Sequence, residues 1–202
     1  METRRSEATE IVVTERPASV SWEEISRLLK TAHAENVRQG IVMRYPQLPP
    51  EQLYEKTEGR GGTLFVALDG DRLVGTGAVV RVDRKIWCGD GAYAYCSFGA
   101  VLPEFRGKSI YPRLIAAREN WARESGISRM LMDTNERNRT MLSLCRKNDW
   151  REVDYRIYDG HGSVMLVKWL GGCPYSRLHC QYKFQWMKWG RIRRKWKTKR
   201  SR

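Results

Sequence analysis

The chain is poor in the features that mark membrane-spanning, disulfide-stapled and zinc-bound proteins. It has no run of about 20 uncharged apolar residues, which argues against a membrane-spanning helix. Its first residues, Met1-Glu-Thr-Arg-Arg-Ser-Glu7, contain no apolar segment of the kind a secretory signal needs, so a cytoplasmic location is expected. Cysteine is scarce and unpaired in pattern. The five thiols Cys88, Cys96, Cys145, Cys173 and Cys180 are odd in number and show no Cys-x-x-Cys spacing, so neither a disulfide framework nor a metal site is expected and reduced thiols are the default. Histidine occurs three times, and neither an internal repeat nor a low-complexity tract is present.

Acidic residues are missing from one region in particular. Residues 171–202 hold eleven Lys and Arg and no Asp or Glu, so of the net charge of +14 only +3 belongs to the first 170 residues. An argument from charge to partner therefore concerns the C-terminal segment alone. The 202 residues, 41% of them hydrophobic, suit one domain over 1–170 and a basic appendage over 171–202.

The most informative stretch present is Gly99-Ala-Val-Leu-Pro-Glu-Phe-Arg-Gly-Lys-Ser-Ile-Tyr-Pro-Arg-Leu-Ile115. An apolar strand runs into Pro103, a turn passes Arg106 and Gly107, and an amphipathic helix then carries Leu114, Ile115, Ala117 and Trp121. A strand that empties into a helix N-terminus leaves backbone N–H groups unpaired and backed by the positive end of the helix dipole, a geometry that binds phosphate. Arg106, Lys108 and Arg113 add cations around the same turn, as a pyrophosphate would require.

This stretch resembles the cofactor signature of the GCN5-related N-acetyltransferases, approximately Val-x-Pro-x-x-Arg-Gly-x-Gly-x-Gly. Val101, Pro103, Arg106 and Gly107 match it, while Ser109 and Tyr111 stand where the later glycines usually are. A second match, Asn138-Arg-Thr-Met-Leu-Ser-Leu-Cys-Arg-Lys-Asn-Asp-Trp150, resembles the family's Asn-x-x-Ala-x-x-Leu-Tyr-x-x-x-Gly-Phe helix, with Cys145 at the tyrosine position.

The resemblance implies an α/β fold with a mixed sheet, acetyl-CoA as co-substrate without a metal, and direct attack of an amine on the thioester while both substrates are bound. It assigns the coenzyme to Gly99, Val101, Arg106, Gly107, Lys108, Ser109, Ile110, Tyr111 and Asn138. For proton transfer it brings forward Cys145 as the acid in place of the tyrosine. Tyr95 falls near the position of the family's basic glutamate, and Asp133 ends the strand that faces the cleft. Packing for Cys145 and helix capping for Asp133 are the competing roles. A binding or scaffold protein with impaired chemistry, and transfer of a longer acyl chain at a membrane surface, are the alternative functions. The acceptor amine is left open.

Along the chain, residues 9–15 alternate as a strand. Ser21 and Glu24 form a capping box for a helix through Trp22, Ile25, Leu28 and Leu29. Residues 33–54, broken by three prolines, are expected as a short helix and loops near the acceptor side, with His33, Arg38, Arg44 and Tyr45 as contacts or surface residues. Residues 63–68 and 72–82 read as strands joined by Asp69-Gly70-Asp71. Residues 92–101 and 128–134 are further strands, on either side of a helix over 107–125 capped by Gly126. A helix over about 137–148 leads to strands near 152–158 and 164–169, and 175–197 to a cationic amphipathic helix rich in Trp. For this last segment an anionic membrane surface, nucleic acid, or the domain itself are the candidate partners.

Overall fold

The computed structural model describes residues 10–41, 45–84, 91–158 and 160–200. Arg44, Cys88 and the side chain of Trp196 lie outside the described residues. Among the described residues seven strands form one mixed sheet: β1 (Ile11–Glu15), β2 (Thr63–Asp69), β3 (Arg72–Val82), β4 (Tyr93–Val101), β5 (Arg129–Asn135), β6 (Arg151–Tyr158) and β7 (His161–Trp169), in the order β1-β2-β3-β4-β5-β7-β6. Every pairing is antiparallel except β4 with β5. That parallel pair holds over only two positions, Ala94 opposite Met130 and Tyr95 opposite Leu131. Beyond Tyr95 the two strands have no shared ladder, and the sheet opens there.

The described residues also form five α-helices, α1 (Trp22–Arg38), α2 (Pro50–Glu55), α3 (Ile110–Glu124), α4 (Arg139–Lys147) and α5 (Arg177–Arg200). The capping box of α1 is present, with the Ser21 side chain taking the Glu24 amide and the Glu24 carboxylate taking the Ser21 amide. This helix is longer than the pattern of its first three turns suggests. Ala32 and His33 continue the buried stripe of Ile25, Leu28 and Leu29, and nothing breaks the helix before Gly40, so His33 sits on a helix and not in a loop. The helix expected from Gly107 instead begins at Ile110, because Ser109 adopts a left-handed conformation with φ 56.

The core lies between the sheet and its helices, with Leu29, Leu53, Leu64, Val66, Leu114, Met130, Trp150 and Leu166 fully enclosed. Helix α3 crosses close to the sheet because two glycines leave a trough for it. A Cβ on Gly77 would lie 3.0 Å from Arg118 Cζ, and one on Gly99 would lie 2.9 Å from the Tyr111 hydroxyl. Between them β4 carries a bulge. Thr76 faces Ala100 and Ala78 faces Ser97, so Phe98 and Gly99 together oppose Gly77, and Phe98 takes a positive φ of 50. A left-handed phenylalanine inside a strand is costly and persists only where its surroundings enforce it. Here Phe98 is buried against the Tyr45 ring at 5.7 Å.

Candidate active site

Where β4 and β5 part, three cavities meet around Phe98 and Gly99. The first, about 690 Å³, lies over the turn from β4 to α3 and is lined by Gly99, Val101, Arg106, Gly107, Ser109, Ile110, Tyr111 and Asn138, among others. No acceptor among the described residues meets the amides of Lys108, Ser109, Ile110 and Tyr111. Helix α3 has neither a side-chain cap nor an acid in its first turn. The contrast with α1, which has both, marks the N-terminus of α3 as a place where the dipole is left for an anion. Gly107 has φ 81 with open space around its missing Cβ, so it is held for conformation and not for room. Ile110 is buried at 1% exposure, which leaves its backbone N–H as the part that can face a ligand.

The cations of this turn have unequal roles. Arg106 donates from Nη2 to the Ala32 carbonyl at 2.7 Å and so ties the turn to α1. The Lys108 ammonium stands over the Phe105 ring at 4.7 Å. Asn138 caps α4, its Oδ1 accepting from the Met141 amide at 3.2 Å, while the residue still lines the cavity.

The second cavity, about 610 Å³, lies on the other side of the bulge and includes Tyr45, Lys56, Arg60, Tyr95, Asp133, Tyr158, His161 and Ser163 in its walls. Asp133 is its centre of negative charge. One carboxylate oxygen accepts from the Tyr95 hydroxyl and the other from the Ser163 hydroxyl at 3.0 Å. Burial, and then the neighbouring Asp133 charge, push the Tyr95 phenol well above its ordinary pKa, so Tyr95 stays protonated and donates. Ser163 carries no signal of its own in the sequence. Only the pairing of β5 with β7 brings it to Asp133.

A third, small cavity of about 80 Å³ joins the two and is bounded by Phe98, Gly99, Tyr111, Arg118, Met132 and Asp133, with His33 and Tyr45 at its edge. Arg118 is 1% exposed, and its Nη2 has no hydrogen-bond partner among the described residues, while Nε donates to the Leu114 carbonyl at 3.0 Å. Its guanidinium lies over the Tyr111 ring, 5.7 Å from the centroid. The Tyr111 phenol is raised by burial and lowered by the Arg118 charge. A lone arginine on the apolar stripe of Leu114, Trp121 and Ala122 was the available signal for this group. His33, bonded to Tyr45 at 3.2 Å and to Asn36 at 3.3 Å, is held neutral: burial lowers its pKa to about 4, with the Arg106 charge adding to the effect and the Gly99 backbone opposing it.

Cys145 lies apart from all three. Its thiol faces Met132 Sδ at 3.8 Å and borders a separate cavity of about 190 Å³ behind Tyr111. Burial pushes that thiol up to about 12. Tyr111 instead reaches from the start of α3 to Gly99 and lines the first and third cavities together.

Comparison with known proteins bears on this arrangement. No curated protein matches the chain by sequence. Among solved structures, an acetyltransferase from Streptococcus agalactiae is 20% identical with a TM-score of 0.62, covering 79% of this chain and 98% of its own. A GCN5-related N-acetyltransferase from Kribbella flavida is 20% identical with a TM-score of 0.61, over 79% and 98%. A GNAT family acetyltransferase from Elizabethkingia anophelis, solved with acetyl-CoA bound, is 15% identical with a TM-score of 0.58, over 79% and 98%. These likenesses establish the fold. The model of the Acetyltransferase (GNAT) family matches residues 22–149, more than half of the chain and the whole of the turn, bulge and capped helix around the cleft. On that match the chain belongs to the GNAT acetyltransferase family.

Proposed function

We propose that the protein is an acetyl-CoA-dependent N-acetyltransferase that acetylates a primary amine by direct attack in a ternary complex. The observation that carries the proposal is the uncapped, unpaired N-terminus of α3, set in a cleft that leads past the β4 bulge to a carboxylate. Acetyl-CoA supplies an acetyl group already activated as a thioester. The amides of Lys108 to Tyr111 and the charges of Lys108 and Arg113 suit its pyrophosphate, and the strand edge at Gly99 and Val101 suits its pantetheine arm. The connecting cavity of about 80 Å³ has room for a two-carbon acyl group.

On the acceptor side Asp133 draws in the ammonium form of the amine and takes its proton, leaving the nitrogen lone pair free to attack. Tyr95 and Ser163 position that carboxylate through their two hydrogen bonds. When the bond to sulfur breaks, the departing thiolate requires a proton. The Tyr111 hydroxyl, beside Gly99 and next to the Arg118 charge, is a donor at that end of the cleft, whereas the Cys145 thiol faces Met132. The proton given by Tyr111 returns from solvent, and the one taken by Asp133 leaves to it.

Titration calorimetry with acetyl-CoA tests the first half of the proposal, with micromolar binding expected. A panel of amines read by thiol release tests the second. Absence of any acetyl-CoA binding would leave a GNAT fold used for binding something else. Acetyl-CoA binding with no amine that raises thiol release above hydrolysis would point to another acceptor.

A further inference from the structure

Helix α5 has two faces with opposite characters. Its inner face is docked on β6: Cys180 and Phe184 are buried, and the Phe184 ring meets Tyr155 edge to face at 6.5 Å. Lys188 stands over the Tyr155 ring at 4.8 Å and reaches Glu136 at 3.4 Å, while Arg191 bonds both oxygens of Asp154 at 3.0 and 3.1 Å. The helix is therefore fixed to the domain, but not by its aromatic stripe.

That stripe points the other way. Leu178, Tyr182, Trp186 and Trp189 are 78%, 68%, 67% and 61% exposed, the four most exposed large hydrophobic residues among those described. Their spacing of four, four and three puts them along one line, about half a turn from Phe184. Exposed Arg193 continues it. A packed domain with a full core has no intramolecular reason to present two tryptophans, a tyrosine and a leucine in a row.

We propose that this outward stripe seats the protein on an anionic lipid bilayer, α5 lying flat in the headgroup layer. Tryptophan and tyrosine prefer the boundary between headgroups and acyl chains, leucine enters beyond it, and the basic sequence around them is attracted to acidic headgroups. A second copy fits the stripe poorly, since two such faces would bring together segments that each hold eleven cations and no acid. A nucleic-acid strand also fits poorly. The aromatics ride the convex side of a helix and line no groove in which bases could stack in succession. Because the inner face is clamped by Asp154 and Glu136, the bilayer holds the domain in one orientation. The inference is independent of the acetyl-transfer chemistry.

The test is co-sedimentation of the full chain with phosphatidylglycerol–phosphatidylcholine vesicles at low salt. Most of the protein is expected in the pellet, with at least a tenfold weaker association for pure phosphatidylcholine, for high salt, and for the Trp186→Ser/Trp189→Ser double variant at low salt. Brominated lipids should quench the tryptophan emission of the parent chain more than that of the double variant. Circular dichroism of the double variant should be unchanged, since both positions are exposed. The proposal is overturned if the parent chain ignores anionic vesicles at low salt. It is equally overturned if the double variant binds them as well as the parent does. A lipid-free dimer that the double substitution dissolves, or single-stranded RNA bound through the same two tryptophans in preference to vesicles, would overturn it as well.

Discussion

The two large cavities on either side of the β4 bulge are built from different materials. The one over α3 has a floor of backbone groups: unpaired amides, a glycine of positive φ and a left-handed serine within five consecutive residues. The one around Asp133 is made largely of side chains, from the strands β3 to β7 and from the segment after α1, and its one negative charge is a carboxylate held by two hydroxyls. The first kind tolerates changes of side chain and suffers from changes of backbone. The second kind does the reverse.

Substitutions that touch one cavity and spare the other sharpen that contrast. Asp133→Asn keeps the shape and removes the base and the charge. With the best amine of the panel, kcat/KM should fall on the order of 1000-fold while acetyl-CoA affinity by calorimetry stays within about twofold. Equal losses in both would mean that Asp133 serves the coenzyme side. Tyr111→Phe deletes one hydroxyl between the cavities, and kcat is expected to drop about 100-fold with acetyl-CoA affinity unchanged and the alkaline limb of the pH profile altered. If kcat is unchanged, water or another group protonates the thiolate.

Gly107→Val attacks the backbone cavity by itself. A left-handed conformation costs a β-branched residue about 1–2 kcal/mol, so acetyl-CoA should bind roughly 5- to 30-fold more weakly in a chain that still folds. Unchanged affinity would place the phosphates elsewhere.

His33, in the wall between the cavities, gives a measurement on stability. Its folded pKa of about 4 lies below the unfolded value near 6.5, so between these pH values the unfolded chain binds more protons. Stability from this group is full above pH 6.5, is lost as the pH falls towards 4, and changes no further below. The loss should be about 2 kcal/mol at pH 5, and His33→Gln should remove that part of the dependence in urea titrations taken from pH 8 to 4. The smallest effect on activity is expected from Cys145→Ala, which should change kcat by less than about twofold and stability by about 1 kcal/mol through the lost packing. A large fall in kcat would restore the thiol as the proton donor.

How much of this was legible in the sequence follows from the same contrast. The cofactor turn could be read because its chemistry is local: consecutive amides, a glycine and flanking cations do their work within one short segment, and Gly99 to Ile115 contains them all. The capping box of α1 and the Asp69-Gly70-Asp71 hairpin were legible for the same reason, whereas the cap by Asn138 emerged only from the structure. The acceptor cavity was legible only in part: the family resemblance brought forward Tyr95 and Asp133 one by one, but neither their hydrogen bond nor the part of Ser163 could be read. Tyr95 and Asp133 lie 38 positions apart and Asp133 and Ser163 another 30, and no periodicity announces that three strands will bring them together.

The family was read from the resemblance of two motifs, and sequence by itself determined an uncapped, basic strand-to-helix turn and a basic C-terminal helix with aromatic residues at helical intervals. These rest on period, turn chemistry and composition, which act between near neighbours. Tertiary structure decided what near neighbours do not: that the Tyr111 hydroxyl and not the Cys145 thiol reaches Gly99, because the glycine trough of β3 and β4 admits the ring. It also decided which side of α5 faces out. Asp154, Glu136 and Tyr155 on and beside β6 hold Lys188, Arg191 and Phe184, and the tryptophans are turned to the outside because the opposite face is already taken.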